Sequence, residues 1–242
     1  MIDRMEGSGR AGRGRPSAAG RRRAVVSVAA AALALAAAAP AAAQDEERVP
    51  TIPAGVPAVV LPLQSTRPTA GGAWLGGAET ERAAIDQLDA EMAFALGEEE
   101  GARSWVLPGD VEARLARNPM IRIDPARLAY HGLLREPEDH AQIYEPLHGQ
   151  LRQIAALFDA RIVILPLAAW YQPPTEEERQ AAAEAGRAEP LKGRAVMLTA
   201  IIDIRRSAVL WHGLIEGDET DPRGRDALTT LALRAAARLS PS

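Results

Sequence analysis

The chain has 242 residues, with 28 Lys and Arg against 32 Asp and Glu, and it has no cysteine. The missing cysteine excludes disulfides, Cys-based metal sites, thiol catalysis and a lipid-modified cysteine anchor together. Aromatic residues make up only 4% of the chain, so a core has to be built from Leu, Ile, Val and Ala.

The first residues carry the three parts of an export leader. A basic stretch with Arg10, Arg13, Arg15 and Arg21-Arg22-Arg23 precedes an uncharged apolar run from Ala24 to Ala39. Pro40 then breaks the run, and Ala41-Ala42-Ala43 offers small residues for cleavage before the acidic Gln44-Asp45-Glu46-Glu47. This predicts a signal peptide over 1–43 and a periplasmic mature chain. The apolar run is short and Ala-rich, below the roughly 20 strongly apolar residues of a stable span, so no membrane span is expected after leader removal. Arg21-Arg22-Arg23 suits the twin-arginine route, but Ala24-Val25-Val26 lacks the usual pattern, so the export route stays open. The leader's seven Arg against Asp3 and Glu6 hide a more acidic remainder: taking +5 from the total of −4 leaves −9 for the 199 residues from Gln44. Such a charge is ill-suited to a nucleic-acid backbone.

Residues 44–57 are polar and then Pro-rich at Pro50, Pro53 and Pro57, and read as an extended linker. An α/β domain is expected over 58–240. Its first strand is Ala58 to Leu63, where Pro62 marks an edge or a bulge. A Gly-, Thr- and Pro-rich loop follows to Gly77, then a helix over 78–96 with Ile85, Leu88, Met92 and Leu96 at helical spacing. Ser104 to Leu107 reads as a short strand, and Asp110 as the cap of a helix over 111–117. Asp124-Pro125 starts a helical turn reaching Leu134. A longer helix runs over 138–158 on Ile143, Leu147, Leu151, Ile154 and Leu157, with Pro146 suited to its first turn.

Arg161 to Leu167 is a strand continuing towards Trp170. The runs 194–204 and 208–216, split by Arg205-Arg206-Ser207, predict a hairpin. Between these strands, 173–192 is polar, and Thr175 with Glu178 forms a capping-box pattern, so an exposed helical insert is expected there. A last helix runs over 224–239. The order β-α-β-α-α-β-β-β-α implies a single domain with a mixed β-sheet and helices on its faces.

Three segments then carry a family likeness: AVVLPL at 58–63, IAALFDARIVILPLAAW at 154–170, and AVMLTAIIDIRRSAVLWHGLIEG at 195–217. Together they resemble the periplasmic group that includes CsgG, LpoB and the amino-terminal domain of TolB. In that group a helix ends in Gly-Ala-Asp before a strand, and a hairpin carries a D-x-x-T-G-x-x-x-W turn. Here Phe158-Asp159-Ala160-Arg161 stands at the first landmark. Asp203 and Trp211 bracket the second, with Arg206-Ser207 in place of Thr-Gly. The resemblance implies a TolB amino-terminal-domain-like fold and a non-catalytic module that binds other envelope proteins through a sheet edge or loops. The insert lacks the alternation of a membrane strand, so the pore-forming part of the likeness does not carry over.

No catalytic or metal constellation is visible in the sequence, and no cofactor is expected. His140 and His148 miss the i, i+4 spacing of paired ligands. His212 is expected across from Asp203 or its neighbours. Ser65, Ser104 and Ser207 sit in no Gly-x-Ser-x-Gly setting. The stretch from Gly71, Gly72 and Trp74 to Gly76 and Gly77 lies where a helix amino terminus could cradle an anion, yet lacks the Lys-Ser/Thr of a phosphate loop. Trp74 reads equally as a contact residue or as packed over the first helix, and Trp170-Tyr171 is a second candidate surface. The leading expectation is an envelope interaction or assembly module with periplasmic protein partners. The alternative is a small-ligand binder or cryptic enzyme using the Gly71–Gly77 loop, and a third expectation is a homo-oligomeric ring.

Overall fold

A computed structural model describes residues 49–50, 52–53, 55–69, 72–135, 142–188 and 191–240. The expected leader over 1–43 lies outside the described residues, as do Gly71 and His140. Four strands form one sheet in the order β1-β2-β3-β4: β1 (Ala58–Val60), β2 (Ile162–Gln172), β3 (Arg194–Asp203) and β4 (Ala208–Glu219). β1 runs parallel to β2, whereas β2, β3 and β4 are successively antiparallel. The fold is therefore α/β with a mixed sheet.

β2 and β3 alternate apolar side chains towards both faces, and most of these side chains are buried. Ile162, Ile164, Met197 and Ile201 point into one cluster with Trp211 and Ile215. Val163, Leu165, Ala200 and Ile202 point into the other. The first cluster is closed by α1 (Glu81–Glu98) and α5 (Asp226–Leu239), through Ile85, Leu88 and Met92 and through Leu228, Leu231 and Ala235. The second is closed by α2 (Pro108–Ala116) and α3 (Leu147–Leu157), through Val111, Leu115, Leu151 and Ile154. This is the two-sided burial that a strand of continuous apolar residues requires. α5 lies closest to the sheet where β4 carries Gly217, since a Cβ there would stand 3.0 Å from Thr230 Oγ1 and 3.1 Å from the Leu231 backbone nitrogen.

The expected first strand is shorter than its apolar run. Pro62 has no N–H, so regular pairing stops at Val60, although Leu61 and Gln64 still donate to the carbonyls of Ile164 and Pro166. Buried Gln64 then holds the next loop: its Nε2 donates to Pro62 and Pro125 carbonyls at 2.7 and 2.8 Å, and its Oε1 accepts from Leu128 N–H. The expected strand at Ser104–Leu107 is a single parallel bridge, Val106 with Val59. That bridge still covers the outer side of β1. α2 starts at Pro108, so Asp110 lies in its first turn and does not cap it. The turn at Asp124 is closed by its own Oδ1 accepting from Ala126 N–H, and the helical stretch there shrinks to a 3-10 turn at Tyr130–Leu133. The insert helix α4 (Glu176–Glu184) has both hydrogen bonds of the capping box and buries no residue.

α3 ends in a left-handed residue that is not glycine. Asp159 has φ 50°, Ala160 N–H donates to Ala155 O at 2.9 Å and Asp159 N–H to Ala156 O. That pattern is the helix stop that glycine normally provides, and a Cβ in it costs about 1 kcal/mol. Asp159 is exposed, so nothing else is lost on its removal. Asp159→Gly is expected to stabilise the fold by about 1 kcal/mol in urea unfolding, whereas Asp159→Ala is not; equal stability of the two variants would contradict this account.

Asp89 on α1 sets a pH dependence. Its Oδ1 accepts the Leu63 N–H at 3.0 Å. Burial raises its pKa to about 7, with Glu112 and Asp86 adding repulsion against the Leu63 hydrogen bond and Arg82. The unfolded group titrates near 4. The folded state therefore binds the extra proton between these values, and its stability falls as pH rises from about 4 to about 7. Asp89→Asn keeps an acceptor for Leu63 and should raise the melting temperature at pH 8 while changing it little at pH 4. Parallel melting curves for the two proteins across this range would count against the assignment.

Candidate functional site

The β3–β4 turn is organised by a buried carboxylate. Asp203 is 1% exposed, and its Oδ1 accepts the backbone N–H groups of Arg205 and Arg206 at 2.9 and 3.2 Å. Its Oδ2 accepts from Arg161 Nε at 3.0 Å and Nη2 at 2.6 Å. Burial disfavours the charged carboxylate, but the Arg161 hydrogen bonds and charge and the two turn N–H groups outweigh it and hold the pKa below the usual range. Ser207 completes the turn with φ 54°. The landmark Asp203 thus serves as a turn organiser and an anchor for the start of β2.

A groove opens beside this turn, with a volume of about 210 Å³. Ile52, Val56, Ile162 and Leu210 supply its apolar lining, Pro50 and Pro53 form part of its wall, and Arg161, Asp203 and Arg206 form its polar part. The segment before β1 is more than a tether here, since Ile52 is 4% exposed and belongs to the core. A second concavity lies under α4, where Arg194 pairs with Glu178 at 2.7 Å and Glu216 at 2.8 Å. These pairs tie the insert to the end of the sheet.

The residues picked out in the sequence are not gathered in one place. The Leu75–Gly77 3-10 turn packs its fully buried Leu75 into the core, and Gly76 N–H donates to Pro222 O at 2.9 Å. Gly76 and Gly77 have φ 69° and 72°, and a Cβ on Gly77 would stand 2.7 Å from the Arg223 carbonyl oxygen. Their described role is therefore close packing against the segment leading into α5. Gly72, also at positive φ, is exposed with open space around it. The amino terminus of α1 is already occupied: Thr80 Oγ1 accepts from Ala83 N–H, and Glu81 Oε1 accepts from Thr66 N–H. Trp74 is half-buried. Tyr171 packs against the core and its hydroxyl accepts from Gly193 N–H at 2.6 Å, so it is a strut for the insert. Trp170 is half-buried at the other face, with the Arg67 guanidinium 5.3 Å from its ring centre.

His212 does not meet Asp203. It lies opposite Ala200, and its Nε2 is 2.7 Å from Leu133 O. The histidine that does find a side-chain partner is His148, whose Nε2 is 2.9 Å from Ser207 Oγ while its Nδ1 is 3.6 Å from Glu145 Oε1. The serine and histidine are separated by 59 positions, so no spacing in the sequence could have paired them. Glu145 is 70% exposed, and none of the three residues lines either concavity described above. Together with Ile143 N–H donating to Ser207 O, the contacts fasten the turn to the segment entering α3. Among the described residues no group of three or more His, Cys, Asp or Glu converges on a metal position.

β4 is the open feature of the sheet. Among the described residues it pairs with β3 alone, apart from a bridge between Ala208 and Gln142 at its start. Across the register, Ala168, Leu198 and Leu214 stand in one row and Trp170, Val196 and Glu216 in the next. On this face Leu214 is 41% exposed, and Trp170 and Leu198 are half-buried. No described helix is long and apolar enough to cross a membrane.

No family model and no curated protein matches the chain. Among solved structures the chain is similar to the LpoB C-terminal domain from Salmonella enterica, at 11% identity and a TM-score of 0.34, over 68% of this chain and 84% of that one.

Proposed function

We propose that the chain is an exported, non-catalytic protein-interaction module of the cell envelope that receives a partner at the free edge of β4 and the sheet face beside it. The observation that carries this reading is an edge strand of 12 residues, Ala208–Glu219, which among the described residues has a ladder partner on one side and only the Gln142 bridge on the other, and which carries exposed Leu214 near half-buried Trp170. An unpaired strand is a template for strand addition, and apolar side chains next to it give a partner contact area. The leader pattern at 1–43 supports export, and the resemblance of the three sequence segments supports an envelope role. Trp170 and Trp74 are the proposed aromatic contacts, while Tyr171 acts through its support of the insert. The reading as a ligand binder built on the Gly71–Gly77 loop has less support, because Gly76 and Gly77 are used in packing against 222–228.

A photo-crosslinking residue placed at Leu214, and separately at Trp170, is expected to give a discrete adduct with another envelope protein. The same residue at Phe94, 69% exposed on α1, should not. In the same assay Trp170→Ala should weaken capture at Leu214 by about tenfold, the scale of an interface hot spot. Adducts of equal strength at Phe94, or none at any position, would defeat the reading. Adducts at multiples of the chain's own mass would replace it with a homo-oligomer.

A further inference from the structure

The groove at the Asp203 turn has a chemistry that the sheet edge does not share, and it lies at the opposite end of β3 from the Trp170 row. Its lining is apolar on one side, with Ile52, Val56, Ile162 and Leu210. Its other side carries two guanidinium groups and one carboxylate. That carboxylate is fully engaged, since Asp203 accepts four hydrogen bonds from Arg161 and the turn backbone. Arg161 spends Nε and Nη2 on it, and its Nη1 has no partner among the described residues. The Arg206 guanidinium is 72% exposed and reaches Asp203 only at 3.9 Å. The site therefore has one positive charge in surplus, with unspent N–H donors at the mouth of an apolar recess.

A surplus guanidinium beside an apolar recess selects a carboxylate joined to an apolar group. The recess, about 210 Å³ in volume, is bounded by Ile52, Val56, Ile162 and Leu210 and takes a single aliphatic side chain with its carboxylate held at the mouth, whereas a long acyl chain would run out over the surface. We infer that this groove binds the free carboxyl terminus of a partner polypeptide whose last residue is aliphatic. That residue's side chain would enter between Ile52, Val56 and Leu210, and its carboxylate would meet Arg206 and the free side of Arg161. Capture of a free carboxyl terminus is an established recognition mode, and here guanidinium groups would supply the donors. The inference rests on the reading of the chain as an interaction module and names the partner chemistry at a second position on it.

The test is calorimetric titration of the full chain with N-acetylated alanyl-alanyl-leucine, with the same peptide as its terminal amide, and with decanoate. The acid is expected to bind at least about tenfold more tightly than the amide, as a lost charge-assisted hydrogen bond requires. Arg206→Gln, at an exposed position that leaves the Asp203–Arg161 pair intact, should remove that preference, and Arg205→Gln should leave it. Leu210→Asn should weaken acid and amide alike. Equal binding of acid and amide, no binding of either, or tighter binding of decanoate than of the peptide would each overturn the inference. Absence of peptide binding with the Leu214 adduct intact removes this site and leaves the module reading standing. Loss of the adduct with peptide binding intact does the reverse.

Discussion

β2 is buried on both faces from Ile162 to Ala169, and that constraint shapes the rest of the molecule. With so few aromatics available, each face has to be closed by aliphatic side chains at short range, and this is what the pairs α1/α5 and α2/α3 supply. β3 shares the requirement because it pairs with β2 along nearly its whole length. β4 escapes it. One side of β4 packs under α5 through Trp211 and Ile215, and the other side is left half open at Leu214. This half-open face is thus a consequence of how far the second helical layer reaches.

Turns carry the second constraint. The β3–β4 hairpin and the α3–β2 connection both need a left-handed residue, and this chain uses Ser207 and Asp159 there. At the hairpin the left-handed residue also makes a side-chain contact, because the Ser207 hydroxyl reaches His148. Exposed Asp159 gains no comparable partner among the described residues. Asp203 works in the opposite direction to Asp89. Its folded pKa is lowered, so its stabilisation is present above the unfolded value and is lost as pH falls, whereas the contribution of Asp89 is lost as pH rises.

Much of this was legible in the sequence, and the reason is periodicity. α1 follows from Ile85, Leu88, Met92 and Leu96, and the hairpin from two apolar runs around Arg205-Arg206-Ser207. The capping box of α4 is present bond for bond. What failed to show were features decided by distant partners. Val106 makes a bridge and not a strand because only Val59 is placed to receive it. α2 starts early because Pro108 needs no N–H partner in a first turn. The groove joins residues 50–56 to Arg161, Asp203 and Leu210, and no local pattern announces such a meeting. The Pro-rich segment looked like a spacer because its few apolar residues, Val49, Ile52 and Val56, follow no strand or helix period. The core burial of Ile52 depends on the sheet behind it.

The acidic composition bears on the open edge as well. An uncovered strand invites indiscriminate pairing, and natural sheets blunt such edges with charge. β4 ends in Glu216, Asp218 and Glu219, and each is held in place by an arginine: Arg194, Arg234 and Arg187 respectively. Its beginning is covered by the Gln142 bridge. Between these ends the Leu214 carbonyl accepts from Arg238 Nη1 at 3.1 Å, so an arginine of α5 also reaches the edge beside the Leu198 and Trp170 face. Charge is thus confined to the far end of β4, while Ala208–Trp211 and Leu214–Ile215 are apolar. An uncharged edge of the same length would accept an added strand in many registers, and the acidic end of β4 removes part of that freedom.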